Sequence, residues 1–193
     1  MSPPHRLSAK IYFAEGITVD PAKMVPLFHE WIRGRAVEGM LVDVADYKHV
    51  HQGPATVLIG HEVDYAIDLS EGRPGLTCTR KRAEAIDLQE DLRHLLRRVL
   101  LAARALQEKS DPHPPLRFTT DSLRVQVIDR LGSENSAPAA SSLARELRPA
   151  LARLFEGTEF KAEDAGGDRR APLTLRVSAP GAPNLDTLLA RLR

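Results

Sequence analysis

Apolar positions recur along this chain with two different periods, and the switches between them outline its elements. Leu88, Leu92, Leu95, Leu96, Val99, Ala103 and Leu106 form a stripe at helical spacing. That stripe predicts a long amphipathic helix over residues 84–109, with Asp87 and Glu90 arranged like a capping box. Met24, Leu27, Phe28, Trp31 and Ile32 predict a second helix over residues 21–33, with Phe28 and Trp31 in the core. Asp20 caps it and Pro21 fills its first position. Pro26 cannot donate an N–H, so it either kinks this helix or marks its true start. Leu143, Leu147, Leu151 and Leu154 predict a helix over residues 138–155, bent at Pro149 and closed by Gly157. Leu185, Leu188, Leu189 and Leu192 predict a last one behind Asn184.

A period of two takes over at residues 63–69. Val63, Tyr65, Ile67 and Leu69 alternate with Asp64, Ala66 and Asp68, the mark of an antiparallel strand with one wet side. The apolar run ATVLI at 55–59 reads as a buried strand, and residues 76–80 return after the turn SEGRPG. These three strands form a meander. Further strands are expected at residues 10–14, 40–45, 158–163 and 173–178, with one or two within 116–131.

The run SDPHPP at 110–115 cannot be helical and divides the chain. Residues 1–109 read as an α+β part with a β-meander and a long closing helix. Residues 116–193 read as a smaller α+β part. Each runs strand, helix, antiparallel strands, helix, and the first has extra strands. The expected class is therefore α+β: antiparallel (mixed) sheets with helices packed on one face, in two similar β-α-β-β-α halves. One continuous sheet across both halves is the alternative.

Composition narrows the function without naming it. Aromatic residues make up only 5% of the 193, so the core rests on Leu, Val, Ile and Ala. A net charge of +1 gives no general pull toward polyanions or anionic membranes. Arg93, Arg97, Arg98 and Arg104 share their helix with five carboxylates, and aromatic stacking residues are missing there. Nucleic acid is not an expected partner. The single cysteine, Cys78, allows no intrachain disulfide and sits in a strand pattern where a buried, inert thiol is expected. No apolar run nears the roughly 20 residues of a membrane span, and no signal-peptide pattern opens the chain. A soluble cytoplasmic protein is expected.

Chemistry-bearing residues concentrate between positions 43 and 82. His49 and His51 form a His-x-His pair, which puts both imidazoles on one side of an extended segment. With His61 they could complete a divalent metal site, zinc being the simplest occupant. Glu62 or Asp43 would then act as general base on a metal-bound water, giving a metal-dependent, hydrolase-like enzyme. Plain loop and turn histidines, bonded to solvent or to local groups, are the preferred reading of the same residues. Asp64 and Asp68 lie on the polar side of their strand, where solvation alone explains them. Asp43 interrupts the apolar run LVDVA, and a buried carboxylate there needs a partner such as Arg80, Arg82 or Lys48. No HExxH, P-loop, Gly-x-Gly-x-x-Gly or Gly-x-Ser-x-Gly pattern occurs. The leading expectation is therefore a non-enzymatic protein that acts through a protein partner or self-association, for example a dimer joined edge to edge along residues 63–69. A small-molecule site between sheet and helices near Tyr65 is a third reading.

Overall fold

The computed structural model describes residues 4–50, 52–82, 87–109, 116–129 and 132–193. Among them, eight strands form one antiparallel sheet and four helices pack on it, an α+β fold. In chain order these are β1 (Leu7–Phe13), α1 (Pro21–Gly34), β2 (Leu41–Asp46), β3 (Pro54–Gly60), β4 (Val63–Asp68) and β5 (Gly75–Arg80). They are followed by α2 (Leu88–Lys109), β6 (Phe118–Val127), α3 (Ala137–Leu154), β7 (Lys161–Asp164), β8 (Leu173–Ser178) and α4 (Leu185–Arg191). Across the sheet the order is β2-β3-β4-β5-β1-β6-β8-β7.

Strand alternation explains why helices cover one face only. On β1, Leu7, Ala9, Ile11 and Phe13 join the apolar core, while Ser8, Lys10 and Tyr12 point to the other side. The same split holds on β6, with Leu123, Val125 and Val127 against Arg124 and Gln126, and on β8, with Leu173, Leu175 and Val177 against Thr174 and Arg176. Helix α1 packs on β2 and β3, α2 on β1 and β5, and α3 on β7 and β8, while α4 docks on α2 and α3. One apolar cluster runs beneath all four helices, from Phe28 and Trp31 to Leu147 and Leu188. Burying each such side chain stabilises the fold by about 1.5–3 kcal/mol.

Helix starts follow the sequence signals. Asp20 accepts from Ala22 N at 3.0 Å, Asp87 from Glu90 N at 2.9 Å and Asn184 from Thr187 N at 3.0 Å. Helix α1 runs through Pro26 from Pro21 onward, so Pro26 does not mark its start. Residues 116–131 contribute one ten-residue strand. The expected 110–115 division and residues 84–86 of the long helix lie outside the described residues.

Three local expectations are corrected. Strand β4 lies between β3 and β5, so residues 63–69 offer no free edge for a dimer; the edges are β2 and β7. Asp43 is exposed on edge strand β2, where its carboxylate accepts from Val44 N at 2.8 Å, and so it needs no buried cation. Tyr65 is fully buried and donates its hydroxyl to Glu38 O at 3.1 Å, so packing takes the place of a ligand there.

A buried ion pair pins the start of the chain. Arg80 on β5 points into the helix-covered side and meets Asp91 of α2 at 2.6 Å. The Nη2 that meets Asp91 also donates to Pro4 O at 2.8 Å, and Nη1 donates to His5 O at 3.2 Å. Residues 4 and 5 are thereby tied across the end of β5.

Candidate functional site

The sheet face opposite the helices carries a groove of about 520 Å³. Its floor is built from small and hydroxyl side chains, Ser8, Thr77, Thr79 and Ala66, and one end is walled by Asp68, Ser70, Glu71 and Arg124. Strand register sets this layout. Reading across adjacent strands, Val57, Ala66, Thr77, Lys10, Arg124 and Arg176 stand opposite one another in one row. The row is small or apolar at its β3 end and cationic at its β8 end.

Asp68 is the hub of the charged end. Only 4% of the residue is exposed. One carboxylate oxygen accepts from Ser70 N at 3.0 Å. The other meets the Ser70 hydroxyl at 2.8 Å, Lys10 Nζ at 3.0 Å and Arg124 Nη2 at 3.1 Å. Burial pushes the Asp68 carboxyl up, but the Lys10 charge and the two Ser70 hydrogen bonds outweigh it and hold the group below the ordinary carboxylate range. Lys10 goes the other way for an ammonium. Burial depresses it despite Asp68, and Arg124 beside it adds to the depression.

A 3-10 turn at Ser70–Gly72 closes the cluster. Glu71 adopts φ +65°, a left-handed conformation that non-glycine residues rarely take. Held there, its carboxylate reaches Arg124 Nη1 at 3.0 Å and accepts from the Tyr12 hydroxyl at 3.4 Å. Arg73 lies 3.9 Å above the Tyr12 ring and donates to the Ser122 hydroxyl at 3.0 Å. Burial, with Glu71, raises the Tyr12 phenol above its usual value, while Arg124, Arg73 and Arg176 pull it down.

Gly75 makes the cluster sterically feasible. A Cβ there would lie 2.3 Å from Ile11 O and 3.0 Å from Lys10 Cε. Only glycine lets β5 pass between Asp68 and Tyr12 while the lysine crosses beside it.

The residues singled out from sequence are placed apart from this groove. His49 is exposed in the β2–β3 loop, with its ring 6.2 Å from that of Tyr47. His61 is exposed in the β3–β4 turn. Seven-residue β3 separates loop from turn, a run of about 20 Å at 3.3 Å per residue. His51 lies outside the described residues. Glu62 shares the turn with His61, and its backbone O accepts from Lys81 N at 2.9 Å. Among the described residues no three His, Cys, Asp or Glu side chains gather as metal ligands. Cys78 is buried. Asp64 pairs with Lys81 at 2.8 Å. The arginines of α2 are likewise engaged: Arg93 with Glu90, Arg97 with Glu38 at 2.6 Å, and Arg104 with Glu108 at 3.7 Å.

Sequence reasoning passed over Lys10, Tyr12, Glu71 and Arg124. A signal was present, because Lys10 in AKIYF, Arg124 in SLRVQ and Arg176 in TLRVS are cations in mid-strand between apolar neighbours. Compared with known proteins, the chain matches no family model and no curated protein. No helix among the described residues is long and apolar enough to cross a membrane.

Proposed function

We propose that the protein is a non-enzymatic binding protein that holds a protein partner on the open face of its sheet. One observation carries the reading: the helices occupy a single face, and the other presents a groove whose buried charges are already satisfied by one another. Lys10, Asp68, Arg124 and Glu71 form a closed set of ion pairs. Such a set makes a rigid polar platform. It leaves neither a free base nor an accessible nucleophile at its centre, as acid–base or covalent catalysis would require. The groove is long as well as shallow. From β3 to β6 it crosses four inter-strand gaps of about 4.8 Å, roughly 19 Å in all, the length of an extended segment of about six residues.

We also read residues 1–109 and 116–193 as two parts that meet at this site. The first strand of each part, β1 and β6, pair at the middle of the sheet, and each has its own part's last strand on the other side. Lys10 and Arg124 stand opposite each other at that junction. This arrangement supports placing the binding surface where the two parts join.

A photo-crosslinking residue placed at Thr79 or Gln126, on the groove floor, tests the proposal. It should trap one partner that the same residue at exposed Arg145 on α3 does not, and Ser8→Arg should suppress the trapping by filling the groove. Equal yields from Thr79 and Arg145 would sink the reading.

A further inference from the structure

We propose that the segment held on this face is acidic, its carboxylate seated between Arg73 and Arg176 beside the Ser122 hydroxyl. The inference rests on the binding reading above and adds the chemistry of the partner.

The register places three cations abreast. Lys10 stands opposite Arg124, and Arg124 opposite Arg176. Like charges directly opposite one another destabilise a sheet. Asp68 and Glu71 neutralise the first two members of the row. Arg176 is exposed and makes no ion pair within 4 Å among the described residues; Glu163 faces it from β7 without reaching it. Arg73 is exposed too, and its partners are a hydroxyl and an aromatic ring. Two guanidinium groups are thus left without a carboxylate, and both lie by Ser122: Arg73 bonds to it, and Arg176 is its diagonal neighbour across β6 and β8. Guanidinium forks match carboxylates in planar, paired geometry.

The surrounding charge points the same way. Around Tyr12, the four cations Lys10, Arg73, Arg124 and Arg176 outnumber the two carboxylates, Asp68 and Glu71, that pair with any of them among the described residues. Glu163 opposite Arg176, and Glu15 and Asp121 beside Arg73, form no ion pair with them. Arg73, Ser122 and Arg176 lie just past the Arg124 end of the groove. A lone anion there would leave the Thr77–Thr79 floor bare, whereas an extended acidic segment reaches both. A nucleic acid strand is a poorer match. Base stacking needs exposed aromatic rings, and Tyr12 is buried beneath Arg73. The exposed large apolar residues, Met40, Val42 and Tyr47, lie on and beside β2 at the far edge.

The test uses the full chain and a fluorescein-labelled Glu-Val-Glu-Val-Glu-Val peptide in anisotropy titrations, with the Lys-Val counterpart and inorganic phosphate alongside. The glutamate peptide should bind and the lysine peptide should not. The Arg73→Glu/Arg176→Glu variant should weaken binding by about tenfold or more, while Arg145→Glu, which also reverses an exposed arginine, leaves it unchanged. Both variants should keep the wild-type thermal melt, since all three side chains are exposed; Arg73→Gln/Arg176→Gln repeats the test with a milder change. Equal binding of both peptides, or glutamate-peptide binding that survives both double variants, overturns the inference. Phosphate displacing the peptide at equal concentration would identify a small-anion site and overturn it as well. A partner crosslinked from Thr79 whose yield is unmoved by either double variant would leave the binding reading standing and remove only the acidic segment.

Discussion

At the scale of single residues, the open-face cluster makes Asp68 the most sensitive position. Its carboxylate serves Lys10, Arg124 and Ser70 together. Removing one partner of a buried pair leaves the other charge uncompensated, at a cost of about 3–5 kcal/mol. Asp68→Ala should lower the free energy of unfolding by about that amount in urea titrations. The pH dependence has a definite sign. The folded carboxyl is held below its unfolded value, so its contribution is fully present above the ordinary carboxylate pKa near 3.9 and is lost as pH falls through the folded value. Asp68→Asn should therefore narrow the stability gap between neutral and acid pH; an unchanged gap would show that other carboxylates govern acid unfolding. Asp68 also shows why the site was hard to read from sequence. The alternation of residues 63–69 is plain, and it assigns Asp68 to the polar side correctly. A polar side normally means a solvated one, and nothing local reveals that Lys10 and Arg124 arrive from β1 and β6 to bury it. Those partners lie 58 and 56 residues away, and their meeting depends on strand order, which one sequence does not disclose. The histidines mislead for a related reason: close spacing in sequence suggested convergence, while the length of β3 keeps His49 and His61 apart.

At the scale of elements, the two sheet edges carry features that disfavour pairing with a further strand. Strand β7, Lys161–Asp164, has four residues, three of them charged, which suits an edge that should not recruit another strand. Strand β2 is longer and borders exposed Met40, with Val42 60% exposed on the strand itself. Here Asp43 provides the protection. Its carboxylate takes the Val44 N–H that an incoming strand would use, and it adds charge to the edge. Asp43→Thr should therefore raise self-association, seen as a concentration-dependent rise in mass by light scattering, with little change in the thermal midpoint. A variant whose mass shows no added dependence on concentration would mean that the twist or shortness of β2 suffices. This residue was singled out for its place in LVDVA, and the oddity was real: a carboxylate in an apolar run marks an edge strand as readily as a buried site. Gly75 makes a complementary point about β5. Its missing Cβ admits Ile11 O and the Lys10 side chain, so Gly75→Ala should cost about 1–3 kcal/mol through forced shifts in β1 and β5. Urea titration would register it, and a neutral result would mean that β1 yields more easily than its central place suggests.

At the scale of the whole molecule, the question is whether residues 1–109 and 116–193 behave as one unit. The strand and helix boundaries were largely legible, because periodicity is local, but the joining of the two parts was not. Each part presents a plausible small sheet by itself, and only the pairing of β1 with β6 decides that the sheet is continuous. Three features bind the parts together. Strand β1 exchanges hydrogen bonds with β5 on one side and β6 on the other. Helix α2 packs against both α3 and α4. Arg93 of α2 donates to Leu192 O at 2.9 Å. Separating the parts would strip β1 and β6 of a shared ladder and uncover the apolar faces of α2 and α3, a loss large beside a total stability of about 5–15 kcal/mol. Unfolding should therefore be a single cooperative transition. Trp31, the sole tryptophan, is fully buried under α1 and reports on the first part alone, whereas far-ultraviolet circular dichroism sums all four helices. In one urea titration the two signals should share a midpoint and a slope. If fluorescence and dichroism separated, the parts would be independently stable domains, and a groove floored jointly by β5, β1 and β6 would be open to regulation by whatever shifts one part against the other.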